Sequence, residues 1–402
     1  MIHFCRHCQS ELEHTVIDLG HQPPSNAYLT SEQLNLPEVT YPLKVFVCDS
    51  CWLVQLPAHA EAEKLFTADY AYLSSTSISW CSHAKSFVEN AIERLCLGAN
   101  SHVIEIASND GYLLQYFQEK GIPCIGIEPT RATAKEAIAK GITTIERFFS
   151  LSLAEELEKA DLIVANNVLA HVPDINDFVS GIAKLLKPQG RASIEFAHVL
   201  QLLNGNQFDT IYQEHYSYLS LRIVQRISAW AGLDVVDVEE LSTHGGSLRV
   251  WLAIEGAEEP TAMVKTVLDK EKQAGLEGIK TYLGFQQRAE SAKFGLLEFL
   301  LQAKQSGKKV LGYGAAAKGN TILNYAGVMT DLLPAVADRA ISKQGKFLPG
   351  SHIPVISQEQ LATERPDSVL VLPWNWILEL KSQLHGQSLV TAIPKIKYHD
   401  NP

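Results

Sequence analysis

Two cysteine pairs are the first residues in this chain whose spacing speaks of chemistry: Cys5-x-x-Cys8 and Cys48-x-x-Cys51. Each CxxC sets two thiols on one tight knuckle, and two knuckles together supply four thiolates at about 2.3 Å from one tetrahedral zinc ion. Four thiolates close the coordination sphere, so such an ion organises structure and has no open position for a substrate. Two unrelated redox or packing pairs are the alternative, and the repeat of the spacing argues against them. Cys81, Cys96 and Cys124 have no partner in the sequence pattern and read as small core residues.

A second constellation is VIEIASNDG, an apolar strand running into a turn of small residues. Ala107, Ser108 and Gly111 allow a ligand close to the backbone, Asn109 sits between them, and Glu105 and Asp110 put carboxylates beside the turn. Carboxylates repel phosphate, and the G-x-G-x-x-G of a dinucleotide site is missing. A ligand with positive charge suits the turn, and S-adenosylmethionine, with its ammonium and sulfonium, fits. Glu128 ends the next strand at GIEP, roughly 20 residues on, where an acid can accept both hydroxyls of a ribose. Asn166 and Asn167, in ANNVLAHVPD, end the fourth strand of the series. Singly, each acid could equally be a solvated strand-end group; in this order they describe a methyltransferase.

The elements that must position these residues alternate. From about residue 100 the text reads strand HVIEIAS, helix YLLQYFQEK, strand CIGIEP, helix TAKEAIAK, strand TTIE, helix LSLAEELEK, strand DLIVANN, helix INDFVSGIAKLLK and strand RASIEFA. Repeated βα units imply an α/β fold with a parallel sheet covered on both faces and ligands at the carboxyl ends of its strands. The 402 residues, 46% apolar, suffice for two or three domains. A net charge of -11 and the lack of a basic tract argue against nucleic acid as a partner. No apolar run reaches the roughly 18 residues of a membrane span, and MIHFCRHCQS lacks the layout of a signal peptide, so a cytoplasmic protein is expected.

With these motifs in view, the sequence resembles the sugar C-methyltransferases that methylate a carbon of nucleotide-linked 4-keto-deoxy sugars. The resemblance covers essentially the whole chain, through the paired cysteines, YAYLSSTS, EIASNDG, NNVLAHVPD, YQEHYSYLS, HGGSLRVW and GYGAAAKGNTILNY. That family usually has glycine where this chain has Ala107 and commonly histidine where it has Gln213. The resemblance implies a class I methyltransferase Rossmann-like core, a small zinc-binding lobe before it and a Rossmann-like α/β lobe after it. It also implies S-adenosylmethionine as methyl donor, zinc as a structural ion, and a 4-keto-6-deoxy sugar carried on dTDP or GDP as substrate, with C-3 the expected carbon.

Such a reaction needs a base near neutral pKa and a donor for the enolate oxygen. Within YQEHYSYLS, His215 is the expected base, Tyr212 the enolate donor or substitute base, and Glu214 an orienting carboxylate, while Tyr72 is expected to close over the site. Packing aromatics and a structural histidine are the plain alternative. In HGGSLRVW two glycines expose amides and Arg249 follows on a strand; a β-turn with Arg249 on a solvated face is the simpler reading, and the resemblance implies instead that His244, Ser247 and Arg249 line the sugar end.

After about residue 256 the text turns charged and helical, then a second βα pattern opens at KKVLGYGAAAKGN. Its glycine turn follows a strand and precedes a helix, with Lys318 and Asn320 available to the nucleotide handle; a lobe with no ligand is the alternative. Three domains are expected: 1–65 holding zinc, 66–256 holding the cofactor, and 257–402 holding the sugar nucleotide. An O- or N-methyltransferase, or a zinc-organised binding protein with a vestigial core, are the competing functions.

Overall fold

The computed structural model describes residues 2–60, 73–384 and 386–399. In chain order its strands are β1 (His14–Gln22), β2 (Tyr41–Val47), β3 (Val54–Gln55), β4 (Val103–Ile106), β5 (Cys124–Ile127), β6 (Thr144–Ile145), β7 (Ala160–Asn166), β8 (Leu186–Ala197) and β9 (Ser217–Tyr218). They continue with β10 (Leu233–Leu241), β11 (Ser247–Ile254), β12 (Val310–Tyr313), β13 (Val336–Ala337), β14 (Val355–Ile356), β15 (Ser368–Val371), β16 (Leu389–Thr391) and β17 (Lys397–His399).

Seven of these strands form the central sheet, in the order β10-β11-β8-β7-β4-β5-β6. β4, β5, β6, β7 and β8 run parallel, β11 lies antiparallel beside β8, and β10, antiparallel to β11, closes the edge in the direction of the other strands. This is the class I methyltransferase arrangement. VIEI of β4 is buried throughout, as a strand covered on both faces must be. The chain leaves β4 toward β5 and β6, then returns to β7 on the opposite side, so the crevice for a ligand opens at the carboxyl ends of β4 and β7. Apolar side chains pack on each face: Ile104, Ile106, Phe178 and Ile182 on one, and Val103, Leu114, Phe117 and Phe87 on the other.

The helices start where side-chain acceptors stand. Ser77 Oγ accepts from the Trp80 amide at the head of helix Ile78–Leu95, Asp174 from Asp177 ahead of Ile175–Leu185, and Ser220 from Ile223 ahead of Leu221–Trp230. The helical expectations of the sequence agree with these elements to within a few residues, although β8 already begins at Leu186, where INDFVSGIAKLLK reads as helix.

A four-stranded sheet, β1-β2-β3-β9, forms the lobe of the paired cysteines, and a six-stranded sheet, β14-β13-β12-β15-β16-β17, forms the last lobe. The first is not built from the N-terminal stretch alone, because β9 comes from YQEHYSYLS and pairs Tyr218 with Val54 and Ser217 with Gln55. The two outer lobes also share one apolar core, in which Ile17, Leu43 and Val45 meet Phe285, Leu296, Ile322 and Leu323. Among the described residues no helix is long and apolar enough to cross a membrane.

Candidate active site

The four expected metal ligands converge. Cys5 Sγ lies 3.5 Å from Cys51 Sγ, Cys8 Sγ 3.5 Å from Cys48 Sγ, and all four sulfurs fall within 4.8 Å of one another. A tetrahedral ion with sulfur arms of about 2.3 Å sets its thiolates about 3.8 Å apart, so the cluster fits zinc. Gln55, on β3, donates to Cys5 Sγ at 3.2 Å and accepts from the Arg6 amide at 2.9 Å, which fixes one ligand from outside the metal sphere. The contacts from Cys48 and Cys51 push the Cys5 thiol down to about 3.

At the end of β4 the backbone turns sharply. Ala107, Asn109 and Gly111 all have positive φ, at 58°, 51° and 76°. Gly126 on β5 has no room for a Cβ, which would stand 2.4 Å from Ser108 Oγ. Around this turn buried polar atoms lack partners: among the described residues Ser108 Oγ, Asn166 Oδ1 and Asn167 Nδ2 have no hydrogen bond, and no cation pairs with Glu105, which the Tyr112 side chain meets. Burial, and after it the nearby charges of Glu128 and Asp110, push the Glu105 carboxyl well above its ordinary range, with a contribution from Tyr112 in the other direction. An unneutralised buried carboxylate is costly, and a cationic ligand removes that cost. The donor set thus fits S-adenosylmethionine: Glu105 for its ammonium, Glu128 for its ribose, and Asn166 and Asn167 along its length. Glu128 is raised by burial as well; its oxygens accept from Asn109 N at 3.0 Å and Thr130 N at 2.8 Å, with the Thr130 and Thr133 side chains beside it.

Asp110, expected beside the same ligand, is engaged elsewhere. Its carboxylate accepts from the Ser75 hydroxyl and from Lys140 Nζ at 3.1 Å, while Asn109 Oδ1 accepts from Ser74 N at 2.9 Å. The two residues bind the end of YAYLSSTS to the turn. Tyr72 itself lies outside the described residues.

His215 stands between the central sheet and the last lobe. Its Nδ1 meets the Thr210 carbonyl at 2.8 Å, so that nitrogen carries the proton and Nε2 keeps its lone pair. Burial, followed by the charge of His171, holds the imidazole well below its usual range, and Lys318 and His244 add to this. It is therefore neutral at physiological pH. Tyr212 lies against it, the rings tilted by 35° with centroids 3.9 Å apart, and His171 meets it edge-on at 4.6 Å. Glu214 is buried and accepts from Asn26 Nδ2 at 2.8 Å. Gln213 donates to the Gln22 carbonyl at 2.9 Å, so this position pins YQEHYSYLS to β1.

The HGGSLRVW residues divide. His244, in the left-handed region at φ 53°, packs against Trp80 at 5.1 Å and is pushed down to about 4, chiefly by burial. Ser247 donates to the Thr243 carbonyl at 3.0 Å and closes its own turn. Arg249 is neither solvated nor free: it is buried, and its guanidinium donates to Glu195 at 2.9 Å and Glu239 at 3.2 Å beneath His83. A cation already neutralised by two carboxylates has little left for a phosphate.

In the last lobe Lys318 Nζ donates to Asn375 Oδ1 at 2.8 Å and lies 4.9 Å from the Trp374 ring centre. Burial lowers its pKa, and Asp209 opposes that. Asn320 Nδ2 is spent on the Ser25 carbonyl at 2.6 Å. Sequence reasoning did not single out His171, Asp209 or Trp374. His171 was in view inside NNVLAHVPD, whereas the Trp374 indole bond to Asp209 at 2.7 Å joins residues far apart in the chain.

Comparison with known proteins agrees with this layout. A zinc binding domain model matches residues 5–66, a methyltransferase domain model residues 81–238, and a C-methyltransferase C-terminal domain model residues 242–394. The C-methyltransferase NovU of Streptomyces niveus is 35% identical over 381 residues, which cover 94% of this chain and 90% of that protein. The chain belongs to the C-methyltransferase family. A ubiquinone biosynthesis O-methyltransferase of Bartonella tribocorum is 31% identical over 23% of this C-methyltransferase and 39% of its own length. Among solved structures, magnesium protoporphyrin IX methyltransferase from Synechocystis PCC 6803 with bound SAM is 17% identical and has a TM-score of 0.33, covering 43% of this chain and 79% of its own.

Proposed function

We propose that this C-methyltransferase methylates C-3 of a nucleotide-linked 4-keto-6-deoxy sugar, as a step of deoxysugar biosynthesis, with His215 as the general base. The observation that carries the reading is the tautomer of His215: Nδ1–H is tied to the Thr210 carbonyl, so the basic Nε2 is left for a proton on carbon. A depressed pKa keeps this base unprotonated at neutral pH and makes it weaker, so the enolate needs stabilisation from elsewhere. The neighbouring Tyr212 phenol supplies a donor, and the Lys318 cation, close enough to act on both His215 and His244, lowers the cost of negative charge in the crevice. Glu214 orients the sugar. Bound S-adenosylmethionine supplies an electrophilic methyl and takes no part in holding the proton.

Lys318 is also the group we assign to the phosphate of the nucleotide handle, dTDP or GDP, with His244 toward the sugar. Arg249 and Asn320, bound internally, support that ligand only by holding the walls.

Proton removal and methyl transfer can be separated. With a non-reactive cofactor analogue bound, the wild-type enzyme should exchange the C-3 hydrogen of its substrate for deuterium faster than buffer does. His215→Asn should lose both exchange and turnover by about 10²- to 10⁴-fold while still binding cofactor. In the wild type, kcat/KM should be flat above pH 7 and fall only below about 6.5, because the folded imidazole takes its proton below the free value. Exchange that survives His215→Asn but not Tyr212→Phe would move the base to the tyrosine.

A further inference from the structure

The zinc lobe reaches the catalytic run through one corner of the loop between β1 and β2. Ala27 N donates to the Pro24 carbonyl at 3.0 Å and Tyr28 N to the Asn26 carbonyl at 3.0 Å, which fold the corner tightly. The Tyr28 hydroxyl donates to the Ala315 carbonyl at 2.5 Å, and Asn320 holds the Ser25 carbonyl, so the corner is fastened to the last lobe on both sides of Asn26. From this fixed point the Asn26 carboxamide donates to Glu214 Oε1 at 2.8 Å. Glu214 is almost wholly buried.

We propose that Asn26 is a positioning residue for the reaction, holding the Glu214 carboxylate in the one orientation in which it meets the substrate. A buried carboxylate takes its direction from its donors, because a hydrogen bond to a charged acceptor is stronger than one between neutral groups and reorientation forfeits it. An amide suits this task better than a cation. It fixes one oxygen without neutralising the charge. The backbone around Glu214 is constrained too: the His171 side chain bonds the Glu214 carbonyl, and His215 N donates to the Tyr212 carbonyl at 2.9 Å. With the main chain held, the bond from Asn26 adds a restraint on the side-chain torsions. Asn26 touches no reacting atom and acts through Glu214.

This inference rests on the role given to Glu214 above, and the experiment separates the two. Asn26→Ala and Glu214→Gln are made singly and together in the full-length, zinc-loaded enzyme, and assayed with dTDP- and GDP-linked 4-keto-6-deoxy sugars, using whichever turns over. Asn26→Ala should lower kcat and substrate deuterium exchange by about 10-fold or more, with cofactor KM, zinc content and thermal midpoint unchanged. Added to Glu214→Gln, it should cost nothing further. Equal losses in both backgrounds would overturn the role of Asn26 and leave that of Glu214 standing. Unchanged turnover in Glu214→Gln would overturn the Glu214 reading itself. Should Asn26→Ala fail to fold, Asn26→Asp keeps the shape. At neutral pH it places a like charge against Glu214, so its loss should exceed that of a neutral change and ease as the pH falls and the new carboxyl gains a proton. A pH-independent defect there would overturn the proposal.

Discussion

The turn after β4 and the turn after β12 look alike in sequence: an apolar strand, small residues, one or more glycines, and a helix. The structure gives them different reasons for being so. After β4 several buried polar atoms stand without partners, and burial raises the pKa of an acid well above its ordinary range. After β12 more of the polar groups bond within the protein: the Ala315 carbonyl takes both the Tyr28 hydroxyl and Lys343 Nζ, the latter at 2.8 Å, and the Asn320 amide nitrogen goes to Ser25, while among the described residues Asn320 Oδ1 and the Tyr313 hydroxyl are buried without partners. Its glycines answer to packing, since a Cβ on Gly314 would stand 2.4 Å from Pro373 and one on Gly319 2.8 Å from Leu372. A glycine turn after a strand therefore states only that something approaches the backbone. Whether that is a ligand or the protein itself is decided by which polar groups remain unpaired.

The comparison is most easily broken at its glycines, where the largest effects are expected. Gly314→Ala, at φ 86° against a rigid proline ring, should cost about 2–4 kcal/mol of stability and leave cofactor affinity within about twofold. Gly111→Ala meets the side-chain end of Ile142 rather than a ring or backbone and should lose about 1–2 kcal/mol, but with a clear loss of cofactor affinity. Thermal unfolding beside cofactor titration tests the pair, and a Gly314→Ala enzyme that kept its stability while losing sugar-nucleotide binding would return the second turn to a ligand.

Next in size is Glu105→Gln, which should weaken S-adenosylmethionine by about 10-fold or more. The sign of its stability effect is opposite. Because the folded carboxyl is raised above its unfolded value, its favourable share of stability is present at low pH and lost as the pH rises through the folded value. At neutral pH, then, the free Glu105→Gln protein should unfold at a higher temperature than the wild type. In the wild type, cofactor binding near the raised pKa should release protons, and calorimetry in buffers of different ionisation enthalpy would show whether it does. For Lys318→Ala the expected effect is a rise of about 10-fold in KM for the sugar nucleotide, with cofactor binding little altered; an unchanged KM would leave the last lobe without a phosphate contact. Smallest is Ala107→Gly, where relief of the left-handed alanine and the added freedom of glycine nearly cancel, within about 0.5 kcal/mol, so that only a modest tightening of cofactor is expected.

Legibility in the sequence followed the distance between partners. The βα alternation, the paired cysteines and the cofactor turn are local patterns, and the sheet, the sulfur cluster and the buried acids Glu105 and Glu128 appear where those patterns point. Arg249 was illegible because its partners, Glu195 and His83, lie far back in the chain, and HGGSLRVW taken alone has the look of a surface turn. Asp110 was misjudged for the same reason, its carboxylate being claimed by Ser75 and Lys140. The link from Asn26 to Glu214 joins two lobes and leaves no local trace.

The placement of β9 bears on how the protein is made. Its zinc lobe emerges from the ribosome with β1, β2 and β3, yet the strand that completes their sheet is synthesised about 160 residues later, some 8 to 30 seconds at about 5–20 residues per second. For that interval β3 offers a bare edge to any neighbouring nascent chain. Its brevity, Val54–Gln55 alone, and the early availability of all four cysteines to zinc suit a lobe that must wait for its last piece.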